Sequence, residues 1–327
     1  MNSRALLLLS SLTLASIASM LVALYAGSLY ISWADIISSF HIEQKSMAQQ
    51  LVQELRLPRA VGAFITGALL ALAGALMQVL LRNPLADPYV LGISGGAAVG
   101  ALLAILSGLS GLLLSGSAFI GALISMLLVF GIAHGKGSWT PTRLLLTGIV
   151  IAAGWGAVIS FLLAIGPDQS LRSMLFWLMG DLGYAETTNT SFIILIAGLF
   201  ISLSIARNLN VLSHGEIQAA SLGVNTHRLR LLIYVLASLM TATAVTLAGS
   251  IGFVGLVIPH LIRLMGFSDN RVLLPAAVLM GGCLLVLADT LSRTIIAPQQ
   301  LPVGVISAAI GVPLFLFLLY RGQVQKL

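Results

Sequence analysis

The chain has 327 residues, 58% of them hydrophobic and 8% charged, with a mean hydropathy of +1.06 and a formal net charge of +6. Soluble domains carry about 25% charged residues, so a soluble protein is excluded and a polytopic membrane protein remains. The single cysteine, Cys283, excludes an internal disulfide, and the basic excess reflects membrane topology rather than nucleic-acid binding.

The first element is apolar from Ala5 to about residue 26. A secretory signal has an apolar core of about 7–15 residues, whereas a bilayer core needs roughly 20, so a retained first helix is predicted. Length and punctuation by Pro, Gly and charge predict ten spans, near 5–29, 60–81, 90–107, 116–133, 143–165, 190–206, 231–250, 254–267, 272–295 and 303–320. The fold class is therefore all-α, one transmembrane domain over 1–327. The eighth span is short, and its Pro259 predicts a broken or tilted helix.

Cytoplasmic loops carry an excess of Lys and Arg, which sets orientation. With the N-terminus inside, the inner side holds Arg4, Arg82, Lys136, Arg143, Arg207, Arg228, Arg230, Arg263, Arg271, Arg321 and Lys326. The outer side holds Lys45, Arg56, Arg59, Arg172 and Arg293, a ratio of eleven to five. Asp35, Glu43, Glu54, Asp168, Asp181 and Glu186 also fall outside. Both termini are expected in the cytoplasm.

Small residues recur four apart at Gly92, Gly96 and Gly100 and at Gly148, Ala152 and Gly156. Such seams let helices approach closely where lipid offers no hydrophobic drive. The segments 69–84 and 244–263 share Leu-Ala-Gly and a following Arg. They run in opposite senses across the membrane, a faint sign of inverted repeat halves.

Two connections stand out. In "DQSLRSMLFWLMGDLG" (168–183), Leu171, Met174, Leu175, Leu178 and Met179 repeat at helical spacing beside Trp177. This predicts a short helix on or dipping into the outer leaflet. "SHGEIQAASLGVNTHRLR" (213–230) is polar, helix-prone and on the inner side, and it holds Glu216, one of only ten acidic residues. Residues 215–222 have room for about two helical turns, and Glu216 near their start suits the helix dipole.

Candidate chemistry is sparse. "GIAHGKGS" (131–138) has three residues between Gly131 and Gly135, and Gly137 follows the lysine where a phosphate loop needs Ser or Thr. No cofactor or nucleotide is expected on this chain. "GISGG" (92–96) matches a serine-hydrolase pattern, which would need a histidine base from another helix. His260 is the one histidine near the membrane, and packing of the glycines accounts for the motif. His41, His134, His214, His227 and His260 have no ligand-spaced partners, so no metal site or catalytic residue is expected. Asp289 is the only carboxylate inside a predicted span and is expected to pair with Arg293 one turn later. An ion-coupled secondary transporter, the rival class, would carry more such groups; an intramembrane serine hydrolase is the remote alternative.

Four stretches carry a family resemblance: "RLPRAVGAFITGALLALAGALMQVLLRNPLADPYVLGISGGA" (56–97), "GEIQAASLGV" (215–224), "GFVGLVIPHLIRL" (252–264) and "LPVGVISAAIGVP" (301–313). In order and spacing they resemble the permeases of iron-chelate and cobalamin ABC importers, the FecCD type, along nearly the whole chain. The resemblance implies a type II importer permease of ten helices in the inner membrane, moving a large metal chelate such as a ferric siderophore, haem or cobalamin. It further implies a second permease subunit, two cytosolic ATPases that use the ATP, and a periplasmic binding protein. Within 213–230 it implies a coupling helix that docks on the ATPase through Glu216, Ala219, Ala220 and Gly223. It implies a cytoplasmic gate at Asn83, Leu85 and Thr142, although Pro141 stands where the cobalamin relative has a hydroxyl residue. Arg56, Arg59 and Arg293 match the arginines that receive acidic residues of the binding protein.

Overall fold

Apolar segments that cross a bilayer must satisfy every backbone group internally, and the chain does so with helices alone: no strand occurs among the described residues. The computed structural model describes residues 3–27, 29, 31–39, 46–134, 140–183 and 189–324. His41, Glu43, Lys45, Lys136, Glu186, Lys326 and positions 135–138 of the rejected phosphate loop lie outside them.

The helices are α1 (Ser3–Tyr25), short α2 (Trp33–Ser38) and α3 (Met47–Gln50), then a π-helical stretch Leu51–Arg56 that runs into α4 (Leu57–Leu80). A turn of 3-10 helix, Pro88–Leu91, leads to α5 (Ile93–Leu106), α6 (Gly111–His134), α7 (Pro141–Ile165) and α8 (Asp168–Leu178). Next come α9 (Asn189–Ser204), α10 (Ala206–Ser213), α11 (Glu216–Ser221) and α12 (Thr226–Ala248). The chain closes with α13 (Val254–Leu264), α14 (Asn270–Thr294) and α15 (Val303–Val324).

Six of these are long and apolar enough to cross a membrane, and α9 with α10 makes a seventh that bends by 63°. Three shorter apolar helices, α5, α13 and Val303–Phe317 of α15, bring the described segments to the ten that were expected. The eleven residues of α13 rise only about 16 Å, half of a bilayer core of about 30 Å. The eighth span is short, as expected, but the helix is not broken at Pro259, which lies inside it.

α4 is the axle of the bundle: 89% of its span is buried, against 11% for α7 and 22% for α1 and α6. It carries almost no polar groups, and α12, α13 and α14 pack around it. The close approach comes from glycines. A Cβ on Gly67 would overlap the Gly281 carbonyl of α14, one on Gly281 would overlap the Gly67 carbonyl, and one on Gly74 would overlap the Gly255 carbonyl of α13.

Two of the three glycines of the first seam line α5 against α6, Gly96 abutting the Gly121 carbonyl and Gly100 the Ser117 carbonyl, whereas Gly92 is the N-cap of α5 and lies against Ala152 of α7. The second seam is only partly used, since Gly148 abuts the Val90 carbonyl while Gly156 faces open space. The echoing segments 69–84 and 244–263 pack on each other. Their shared Leu-Ala-Gly plays different parts, however, mid-helix at Gly74 and as the left-handed end of α12 at Gly249, φ +67°.

Within the predicted 168–183 element, α8 spans 168–178 and buries Met174 with Val99, Leu102 and Leu162. Part of its apolar face is thus spent on α5 and α7 rather than on lipid.

Candidate functional sites at the two ends of the bundle

One end gathers the C-termini of α1, α12 and α14, the N-terminus of α4 and the α8 connection; three arginines mark it. Arg56 is 5% exposed, and its guanidinium donates to the Leu24 carbonyl at 2.6 Å and the Tyr25 carbonyl at 2.9 Å. Those carbonyls are the orphan acceptors at the end of α1, so Arg56 caps that helix from a distance. Arg59 and Arg293 both bind Asp289, which is 1% exposed: Arg59 Nη2 lies 3.0 Å from Oδ1 and Arg293 Nε 3.0 Å from Oδ2. Arg59 also donates to Gln300 Oε1 at 2.9 Å and sits 4.0 Å from Asp181.

The expected Asp289–Arg293 pair is therefore present, and Arg59 completes it into a triad. The three arginines do converge, on a pocket of about 370 Å³ that also holds Glu54 and Gln300. Their charges are engaged within the chain, Arg59 and Arg293 by Asp289 and Arg56 by the carbonyls of α1. Charges cut off from water persist only when paired, and here the partners come from inside the chain.

The other end holds the N-termini of α12 and α14, the C-termini of α4 and α13, and the arm α10–α11. Gln78 of α4 reaches across to α13, accepting from Arg263 and donating to the Leu256 carbonyl at 3.1 Å. The predicted two-turn helix forms as α11. Its Glu216 turns inward and pairs with Arg230 of α12 at 2.7 Å, where the Arg230 side chain is 5% and that of Glu216 40% exposed. Ala219 is fully buried against the body.

Beside polar Gln218 and Ser221, α11 and its C-cap display two large apolar side chains. Ile217 is 87% and Leu222 70% exposed, beside exposed Ala220 and Gly223. Gly223 has φ +79° and open space where a Cβ would be. The Val224 N–H bonds the Ala219 carbonyl and the Gly223 N–H the Ala220 carbonyl, both at 3.0 Å, the Schellman closure that calls for glycine. Handedness, rather than close approach, explains this glycine within the chain.

Of the gate residues, Asn83 turns the chain after α4, its Oδ1 accepting the Leu85 N–H at 2.9 Å. Leu85 is 42% exposed, and Thr142, in the first turn of α7, is exposed as well.

Sequence reasoning missed Ile217 and Leu222 as the projecting pair. It also missed a polar knot at the root of the arm. Asn210 Oδ1 accepts the Asn270 backbone N–H at 2.9 Å and its Nδ2 at 2.7 Å, while Asn210 Nδ2 donates to Asp269 Oδ1 at 2.7 Å. Asp269 caps α14 through the Arg271 N–H at 3.0 Å. Burial pushes its carboxyl up, but the bonds from Arg271 and Asn210 and the Arg271 charge outweigh that and hold it below the usual range. An Asp before an apolar run signals the cap; nothing in sequence signals a partner 59 positions away.

Ser94, of the hydrolase pattern, hydrogen-bonds no histidine among the described residues. The glycines around it pack on Trp155 and Gly121.

A helical bundle with buried charges clamped at one end and a short projecting helix at the other is the build of a membrane permease. Residues 14–321 match the FecCD transport family, and the chain belongs to it. It is 42% identical over 283 residues to the cobalamin import system permease BtuC of Halobacterium salinarum, covering 86% of this chain and 76% of that one. Over 279 residues it is 42% identical to the hemin transport permease HmuU of Yersinia pestis, covering 83% and 84%. It is 37% identical over 321 residues to the vitamin B12 import permease BtuC of Citrobacter koseri, covering 96% and 94%. A solved transporter assigned to the metal-chelate type of ABC transporters, in an inward-facing conformation, superposes with a TM-score of 0.82. It shares 32% identity, over 97% of this chain and 99% of that one.

Proposed function

We propose that this chain is the membrane-spanning subunit of an ATP-driven importer that carries a metal chelate, in the class of cobalamin, haem and ferric siderophores, into the cytoplasm. The supporting observation is α11: a short helix fastened from behind by Glu216 and Arg230 that holds Ile217 and Leu222 out into solvent. Isolated exposed apolar side chains need no explanation, but a pair on one short projecting helix and its C-cap, fixed by a charge pair beneath it, is built to fill a partner's pocket. In this reading the partner is a cytosolic ATPase that holds the nucleotide, two copies serving two permease subunits. The exposed faces of α6 and α7 then meet lipid or the second permease. The arm faces the cytoplasm, as do both termini, in the inner membrane.

Glu216 and Ala219 act by placing the helix, and Ala220 and Gly223 flank the contact. At the outer end, a periplasmic binding protein docks over the pocket edge where Arg59 keeps 14% exposure, while Arg56 and Arg293 shape that edge from within. Asn83, Leu85 and Thr142 close the path on the cytoplasmic side.

A secondary transporter is disfavoured, because Asp289, the buried carboxylate of α14, is held by two guanidiniums, which opposes a role as an ion carrier.

Pairing Ile217→Asp with Leu222→Asp tests the reading. The double variant should keep the melting temperature of the chain while ATPase copurification falls at least tenfold, about 1.4 kcal/mol of contact energy. Undiminished copurification would overturn the assignment of α11.

A further inference from the structure

A docked ATPase can only drive transport if movement of α11 reaches the far end of the bundle. α11 itself is six residues long and is tied to α12 through Glu216, which pairs with Arg230 and accepts from Thr226 Oγ1 at 3.5 Å. Its other attachment is α10, two residues upstream, which leaves α9 at 63° and packs inward with Ala206, Leu209 and Leu212. Beside its C-terminal turn the packing is incomplete on the side facing α14. A cavity of about 440 Å³ opens there, lined by Asn210, Ser213, His214, Arg263, Asp269 and Asn270, among others. Across this gap the joint is held by hydrogen bonds.

We propose that Asn210 is the positioning residue that clasps the ATPase-facing arm to the start of α14, making α14 the rod that carries movement to the arginine end. The clasp is specific in both directions. The Asn210 carbonyl oxygen takes two N–H groups of Asn270, and its amide gives one to Asp269. Asn270 is 2% exposed, so its two bonds to Asn210 are partly shielded from competing water and hold a defined geometry, while the bond to Asp269 lies at the exposed edge of the joint. Asp269 and Asn270 are the cap and first residue of α14, where a sideways pull is delivered to the helix as a whole.

From there α14 continues without a break for 25 residues, through Pro275, to Thr294, a length of roughly 37 Å. It carries Asp289 and Arg293 at its far end, where Asp289 holds both Arg59 and Arg293. The two ends of the molecule are thus joined by one helix, gripped at its start by the arm and at its finish by the arginine triad.

The inference rests on the reading of α11 as the ATPase contact, and the experiment separates the two. The complex of the full chain with its copurifying ATPase is reconstituted in lipid, with Cys283→Ala removing the only cysteine. A spin label is attached through Ile296→Cys, at a side chain 50% exposed beyond the end of α14. Addition of ATP and vanadate should change the label's spectrum in this background.

Asn210→Asp sets a carboxylate against Asp269 and breaks the bond between them; it should keep ATPase copurification and basal hydrolysis but reduce the spectral change at least threefold. Asn210→Asp with Asp269→Asn restores the bond with donor and acceptor exchanged, and should restore the change. A wild-type response from Asn210→Asp, or failure of the exchanged pair to rescue, would overturn the clasp. Loss of copurification in Asn210→Asp would also overturn it, by assigning Asn210 to docking. A chain with intact Asn210 that retains no ATPase would instead overturn the proposed function.

Discussion

The two ends of the bundle treat charge in opposite ways. At the arginine end, three guanidiniums that sequence places at helix ends are drawn inward, two onto Asp289 and one onto the carbonyls of α1. At the other end the single acid of the arm also turns inward, onto Arg230, and leaves a pair of aliphatic side chains facing water. In both places the charged residues build the platform. The contact surface, where there is one, is made by what the platform exposes. A charge near a membrane boundary is therefore poor guidance to a docking site until its internal partners are known.

The sharpest way to break this comparison is Asp289→Ala. Removing one partner of a buried ionic cluster costs about 3–5 kcal/mol, and here two guanidiniums would lose their carboxylate together. The variant should melt well below the wild type in detergent and in nanodiscs. A change under about 1 kcal/mol would mean that the arginines are solvated.

A second variant asks whether the axle joining the two ends depends on backbone contact. Gly281→Leu forces a side chain into Gly67 of α4 and should destabilise the chain by about 1–3 kcal/mol. The same change at Gly156, which faces open space, should be nearly silent in the same melting measurement.

Glu216→Gln addresses the arm alone. The pair is half open to solvent on the Glu216 side, so its loss should cost about 1 kcal/mol or less. Hydrogen exchange should rise in 213–225 while the global melting point stays put. A global loss as large as that of Asp289→Ala would erase the distinction between platform and arm.

The smallest effect is a pH dependence at the root of the arm. The Asp269 carboxyl is held below its ordinary range in the folded chain. Its contribution is therefore complete above the unfolded carboxylate pKa of about 3.9 and is lost as pH falls through the depressed folded value. Melting curves taken between neutral pH and about pH 3 should show a shallower acid limb for Asp269→Asn than for wild type. Parallel curves would remove Asp269 from the knot.

By itself, the sequence determined the class, the ten segments, the shortness of the eighth one and the short helix of the arm. Each of these follows from local hydropathy, length and chain punctuation, which do not need a partner to be read. The Asp289–Arg293 pair was legible for the same reason, lying one turn apart on one helix.

Only the tertiary structure decided the rest. Arg59 reaches Asp289 across 230 positions, Asn210 reaches Asp269 across 59, and Gly67 meets Gly281 on another helix. It also decided that Glu216 faces in and Ile217 out, because the direction of a two-turn helix is set by the buried Arg230 beneath it. Burial and pairing are properties of neighbours in space, and a single sequence records neighbours only along the chain.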